Sequence, residues 1–143
     1  MKAHVNGDDR GSATLELVVW APGLLLLIGL LIVAGRINTA HGAVEQAAVE
    51  AARSASIART PQAARSQALA SAQESLAHQG IQCTSVTVTV DTSGFASQPG
   101  TPAVVSATVS CPVRLADLTL PLPGTRTVTY TAVSSLDTFR ERT

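Results

Sequence analysis

Few side chains in this sequence are placed to do chemistry. The three histidines, His4, His41 and His78, lie far apart, and no acidic residue is spaced with them as a metal site or an acid–base pair requires. None of the serines lies in a nucleophile elbow. The sequence therefore predicts that the chain is not an enzyme, and it indicates no metal ion or cofactor.

The two cysteines can do one kind of chemistry, which is to form a disulfide. Cys83 and Cys111 are 28 positions apart, and this excludes the close C-x-x-C pairs of zinc and thioredoxin-like sites. A bridge between them would close a loop of about 29 residues and contribute roughly 3 to 4 kcal/mol to stability. The alternative is a pair of buried free thiols in a reducing compartment.

An acidic side chain, Glu16, stands at the start of a long apolar run. Between Glu16 and Arg36 lie 19 residues without a charge, and twelve of them are Leu, Ile or Val. A helix of that length spans about 28 Å, close to the roughly 30 Å hydrocarbon core of a bilayer. The run exceeds the apolar stretch of about 7–15 residues in a cleavable export signal, and no Ala-x-Ala cleavage site follows it. We therefore expect a transmembrane helix rather than a secretory signal.

Charge counting does not orient this helix. Lys2 and Arg10 before the run are offset by neighbouring aspartates, and arginines also follow the run. The paired cysteines favour an oxidising compartment for the C-terminal part. We therefore expect a single-pass protein of the cytoplasmic membrane with its C-terminal head outside.

Ten basic and ten acidic side chains leave no net charge, which argues against a nucleic-acid partner.

The elements after the run predict an α+β head. Apolar and small residues recur every three or four positions, so that one helix is expected from about Ser12 to Ala58. Its alanine stripe could pack on a neighbouring helix or on the chain's own head. Thr60 and Pro61 signal the start of a second helix over about 61–79, and Gly80 its end. Leu69, Ala72 and Leu76 are expected on the inner face of that helix.

Period-two alternation then predicts a small sheet of three antiparallel strands at about 82–90, 103–111 and 125–135. Facing the valines of the first two strands toward each other pairs Val86 with Val109, Val88 with Ala107 and Val90 with Val105. The cysteines are out of step with that register by one residue. A β-bulge near Thr84 or Ser85 would reconcile the two.

The N-terminal pattern resembles a known family. Gly11 is followed by small residues, by Glu16 at the fifth place after the glycine, by Pro22 and by an aliphatic run that ends in Gly35-Arg36. This order is similar to the processing site of type IV-like prepilins and, more closely, to TadE-like proteins of tight-adherence (Tad/Flp) pilus systems. The resemblance covers about residues 10 to 36.

The resemblance implies a minor pilin or pseudopilin in three parts. Residues 1–11 would be a leader removed between Gly11 and Ser12 by a prepilin peptidase, residues 12–36 a transmembrane helix, and residues 37–143 an extracytoplasmic head with a helical stem. Its expected partners are membrane lipid, other pilin-like subunits and the Tad assembly machinery, and it would reach a surface pilus on incorporation.

Two further positions in the run carry expectations. A new amine at Ser12 would place a positive charge near Glu16, and a neighbour's amine could pair with this carboxylate as an assembly contact, because either charge alone is costly in an apolar layer. Alternatively, Glu16 only caps the positive end of the transmembrane helix. Pro22 and Gly23 mark a place where the helix can kink.

The competing interpretation of the whole chain is a single-pass, membrane-anchored binding domain unrelated to pili.

Overall fold

The computed structural model describes residues 9–118 and 123–138. Two α-helices come first, α1 at Asp9–Ile57 and α2 at Pro61–His78. Three strands follow, β1 at Thr87–Asp91, β2 at Val104–Arg114 and β3 at Thr125–Ser135. Short 3₁₀ helices at Ser93–Ala96 and Leu115–Leu118 lie between the strands. The predicted α+β class is confirmed.

The chain divides into two compact units. The first ends at Gly35 and the second begins at Arg36, so α1 contributes residues to both. The first eight residues of the predicted leader, with His4 among them, lie outside the described residues. The helix itself begins three residues before the expected Ser12, because Asp9 to Gly11 also adopt helical geometry.

The part of α1 that belongs to the second unit buries an alanine stripe. Its buried residues recur at intervals of three and four, beginning at Ala40. The residues that form one cluster with α2 and the sheet are Ala43, Val44, Ala47, Ala48, Ala51, Ala52 and Ala55. Small side chains allow the helix backbone to approach its neighbours closely. Of the two uses expected for this stripe, packing within the chain's own head is the one observed.

The second helix has the predicted ends. The backbone N–H of Ala63 donates to Oγ1 of Thr60 at 3.2 Å, which makes Thr60 the N-cap. At the other end Gly80 has a φ of 68°, a left-handed conformation that glycine adopts without steric cost. The buried positions repeat every four residues, at Ala64, Ala68, Ala72 and Leu76.

One expectation for the inner face of α2 is wrong. Leu69 is 39% exposed, whereas its neighbour Ala68 is fully buried. The inner stripe that starts at Ala64 reaches Ala68 after four residues, so Leu69 is rotated out of it. Of the two leucines of α2, Leu76 therefore belongs to the core cluster and Leu69 does not.

The sheet has the order β1-β2-β3, with both pairs antiparallel. Its inner face carries alternating buried residues of β2, which are Val105, Ala107, Val109, Cys111 and Val113. On the opposite face, hydroxyl groups of facing residues bond across the strands, as between Thr108 and Thr131 at 2.8 Å and between Thr129 and Ser110 at 3.1 Å. The helices and the sheet thus form two layers with one core between them.

The predicted register between β1 and β2 is wrong by two residues. Val88 faces Val109 and Val90 faces Ala107, whereas the sequence pattern paired Val86 with Val109. A shift of two keeps every valine on the inner face, so alternation alone does not distinguish the registers. The strand also starts at Thr87 rather than at about residue 82.

The disulfide explains the late start of β1. Cys83 and Cys111 are joined, with their Cα atoms 5.2 Å apart, and the backbone N–H of Thr84 donates to the Pro112 carbonyl at 2.8 Å. The first paired residues of the ladder are Thr87 and Ser110. Between the disulfide and this pair lie four steps along the chain before β1, from Cys83 to Thr87, but only one step along β2, from Cys111 to Ser110. The surplus is three residues, so the single-residue bulge expected near Thr84 or Ser85 is replaced by a longer irregular segment.

The turn-rich segment after β1 contains a packed 3₁₀ helix that the sequence analysis did not predict. Phe95 is buried in the core, and a Cβ at Gly94 would clash with the Val104 carbonyl oxygen. The carboxylate of Asp91 accepts from the backbone N–H of Ser93 at 2.9 Å. This bond, together with one from the Ser93 side chain, holds the pKa of Asp91 below its usual value.

Candidate processing and assembly segment

The predicted processing site lies at the start of α1. Gly11 and Ser12 are the third and fourth residues of the helix. The first four N–H groups of a helix have no partner within it, so this end opens more easily than the interior. The bond between Gly11 and Ser12 is therefore in a part of α1 where local unwinding costs little.

Glu16 follows one turn later on the same helix. Its side chain is exposed, and it is four residues from Ser12, a separation that brings two positions onto the same side of a helix. Cleavage after Gly11 would leave an amine one turn before this carboxylate. The structure therefore places Gly11, Ser12 and Glu16 within two turns of one another.

The apolar run beyond Glu16 is exposed on every side of the helix. Four consecutive residues, Leu17 to Trp20, are each between 64% and 75% exposed, and Leu26 is 76% exposed. Four consecutive helical residues point in four directions, so no face of this part packs on the chain. A helix that is apolar all round requires an apolar environment. Among the described residues, α1 is the one helix long and apolar enough to cross a membrane.

Pro22 lies inside α1, and the helix continues through it. Because proline has no N–H, the carbonyl of Val18 lacks its usual donor one turn earlier. A Cβ on Gly23 would meet no atom within 4 Å. The kink expected at Pro22 and Gly23 stays a prediction, and its physical basis is the hydrogen bond that Pro22 cannot donate.

The two cysteines of the second unit are joined in a disulfide. Cys111 is fully buried, and in the described part of the chain no group of three or more His, Cys, Asp or Glu residues could hold a metal ion. His78 lies at the end of α2, where its Nε2 is 3.6 Å from a carboxylate oxygen of Glu74 on an exposed surface. The bridge thus acts as a structural link between the start of the sheet region and β2.

These features define a protein with an N-terminal apolar helix, able to cross a membrane, that continues into the stem of a disulfide-linked α+β head. Residues 11–53 match the model of the TadE-like protein family. The resemblance seen in the N-terminal pattern is confirmed, and the match extends past Arg36 into the stem. No curated protein and no solved structure matches the chain.

Proposed function

We propose that the chain is a TadE-like minor pilin or pseudopilin, a structural subunit in the assembly of a Tad/Flp-type pilus at the cell envelope. One observation carries this proposal. The family match begins at Gly11 and includes Glu16, the entire apolar run and the stem as far as Arg53. These are the residues expected to serve processing, membrane retention and contact with other subunits.

The proposed sequence of events starts at the cytoplasmic face. A prepilin peptidase cleaves between Gly11 and Ser12, after the first turn of α1 has opened. The glycine has no side chain, so it leaves the scissile carbonyl accessible. The apolar run then holds the processed chain in the cytoplasmic membrane, with the disulfide-linked head outside.

Assembly follows from the charges that processing leaves behind. The amine of Ser12 and the carboxylate of Glu16 share a layer in which an isolated charge is expensive. Pairing the Glu16 carboxylate of one subunit with the amine of a neighbour satisfies both charges and fixes the axial register of the two chains. The partners in this scheme are other pilin-like subunits and the Tad assembly machinery, and the chain performs no catalysis.

Mapping the mature N-terminus tests the proposal. In cells that make the Tad system, mass spectrometry of the recovered wild-type protein should show a chain that begins at Ser12. Gly11→Val should leave the full-length chain in the membrane, because the added side chain obstructs the scissile bond. Gly29→Val is the matched control, since a Cβ at Gly29 would meet no atom within 4 Å and a valine there is apolar like its neighbours.

The opposite result has a definite meaning. A wild-type chain that keeps Met1 beside an active prepilin peptidase would contradict processing. It would favour a single-pass, membrane-anchored binding domain unrelated to pili. Accumulation of both glycine variants to the same extent would show that valine disturbs the helix generally, and not the cleavage site.

A further inference from the structure

A cleft lies at the end of the second unit where the chain enters from the apolar run. Its volume is about 500 Å³, and its lining includes residues of α1, the turn after α2, the end of β2 and the second 3₁₀ helix. Arg36 lines this cleft, and it is the first charged residue after the 19 uncharged positions. If the run spans a bilayer, Arg36 is at the level of the lipid headgroups.

The charged groups around the cleft are mostly arginines. Asp117 is the single carboxylate among the described residues that line it. Nε of Arg114 lies 3.1 Å from the Asp117 carboxylate and largely neutralises it. Arg126 is the register partner of Val113, which lines the cleft, and directly opposed residues share a face of the sheet. Arg36 and Arg126 therefore leave a positive charge at this end.

Arg36 is available to a ligand. Its guanidinium is exposed, and Nη1 donates to the backbone carbonyl of Asp117 at 3.4 Å, which is a long hydrogen bond to a neutral acceptor. A phosphate would offer charged acceptor oxygens, and arginine binds these in a bidentate manner more strongly than it binds a carbonyl. The exposed amide side chain of Gln82 lines the same cleft and can donate to such a group.

The C-terminal end of α2 reaches the cleft, and the partial negative charge of this helix end opposes the binding of an anion there. The partial negative charge of a helix C-terminus is about half an elementary charge, whereas two arginines carry two full positive charges. The last carbonyls of α2 are also satisfied, since Ser75, Leu76 and Ala77 accept from the backbone N–H groups of Gln79, Ile81 and Gly80. The positive charge is therefore the larger effect.

From this geometry we propose that the cleft binds the headgroup phosphate of an anionic phospholipid, with Arg36 and Arg126 as the cationic contacts. The proposal rests on the membrane anchoring included in the proposed function, but not on pilus assembly. It makes the end of the second unit at which Arg36 lies a lipid-binding site.

The test uses the full chain in nanodiscs of phosphatidylcholine alone or of an equal mixture with phosphatidylglycerol. Hydrogen exchange at the backbone amides of residues 79–82 should slow in the mixture. After extraction, phosphatidylglycerol should be enriched over its bulk share among the lipids that copurify. Arg36→Gln should lower that enrichment about fivefold, as expected for one arginine near an anionic surface, and adding Arg126→Gln should lower it further.

Arg59→Gln is the matched control. Arg59 is exposed in the turn after α1, and the part of α1 between Arg36 and Ile57 separates the two arginines by about 32 Å. The control should retain wild-type enrichment. Equal loss in Arg59→Gln and Arg36→Gln would reduce the effect to overall charge and overturn the site. Protection by inorganic phosphate in phosphatidylcholine discs, without lipid enrichment, would assign the cleft to a free anion instead.

The two proposals fail in different ways. A chain that does not insert into either nanodisc would contradict membrane anchoring and, with it, the lipid site. A chain that inserts but shows the same lipids and the same hydrogen exchange in both discs would overturn only the lipid site. Thermal unfolding of each variant confirms that its head is folded before the lipids are compared.

Discussion

The two parts of α1 are continuous in sequence and secondary structure, yet they use opposite packing. Between Leu17 and Gly35 large aliphatic side chains are exposed all round the helix, whereas from Ala40 to Ala55 small side chains are buried along one face. Leu26 is 76% exposed and Ala51 is fully buried, although leucine is far more apolar than alanine. Hydrophobicity alone therefore does not decide which residues of this helix are inside the protein.

The difference shows what each part requires. Large side chains around the entire circumference suit an apolar solvent, in which no face needs a partner within the chain. Alanine on one face suits contact with other elements of the same chain, because a small side chain lets a second backbone come close. The first part depends on its surroundings, and the second part depends on the sheet and α2.

Glu16 gives the largest expected effect and tests whether the apolar part makes specific contacts. Glu16→Gln should leave insertion and cleavage intact while breaking a charge pair with a neighbour's amine. Breaking a buried pair costs roughly 3 to 5 kcal/mol, which is at least a hundredfold in subunit association. Copurification with pilin partners and surface piliation should fall accordingly, and Glu16→Asp should be partly active.

Glu45→Gln is the control in the stem. Glu45 is exposed, and a change at such a position is usually within about 0.5 kcal/mol. If Glu16 only caps the helix, Glu16→Gln loses at most about 1 kcal/mol and piliation survives at native expression. Normal piliation in both variants would remove the support for an assembly contact.

The disulfide gives the next largest effect, and it should separate the head from the apolar part. Replacing both Cys83 and Cys111 by alanine reopens a loop of about 29 residues and should lower the free energy of unfolding by roughly 3 to 4 kcal/mol. Calorimetry of the full chain in detergent should show a lower melting temperature for the head, while membrane fractionation should be unchanged.

Mass analysis of wild-type protein from cells should find both thiols blocked. Two freely alkylated cysteines would contradict the bridge in vivo and the exported orientation.

Much of the fold could be predicted from local signals. The bounds of β3 were predicted correctly from alternation, and Thr60, Pro61 and Gly80 set the ends of α2 through capping and backbone geometry. The long first helix was predicted because its apolar residues recur with a helical period. Each of these signals acts within a few residues, so the sequence pattern contains it directly.

The errors arise where distant residues decide the structure. Registers that differ by two bury the same valines, so only contacts such as the Thr84–Pro112 bond select between them. Leu69 was assigned to the inner face of α2 with Ala72 and Leu76, but the buried stripe passes through Ala68 instead. The burial of Phe95 was not predicted, because a turn-rich composition does not show that one aromatic side chain packs in the core.

The candidate segment was predictable in residue type and order, since Gly11, Glu16 and Pro22 form a sequential pattern. The cleft proposed to bind a lipid headgroup was not predictable, because Arg36 and Arg126 are 90 positions apart in the sequence. Two long-range features form the cleft near these arginines. They are the register of β2 with β3 and the contact of the end of α2 with the stem.

A charge placed in each part of α1 tests the difference in solvent. Leu26→Lys puts a cation near the middle of the apolar run, where insertion should lose about 3 kcal/mol. Val49→Lys makes the same kind of change at a stem residue that is 45% exposed, and it should alter stability by no more than about 0.5 kcal/mol. The fraction of each variant that resists alkaline extraction from membranes measures the effect. Equal extraction of Leu26→Lys and Val49→Lys would contradict a bilayer around the first part.

The smallest effect comes from one substitution made at two alanines. Ala51→Leu adds three carbons where the side chain is fully buried in the core, and such overpacking should destabilise the head by about 1–3 kcal/mol. Each kcal/mol corresponds to a drop of roughly 4–8 °C in the melting temperature of a domain of this size. Ala34→Leu adds the same carbons at an exposed position of the apolar run, where leucine favours insertion by a few tenths of a kcal/mol. Calorimetry should therefore show a lower melting temperature for Ala51→Leu alone, because only the stem alanine is buried in the core of the head. A similar drop for Ala34→Leu would mean that the apolar run also packs against protein, and the contrast between the two parts of α1 would have to be abandoned.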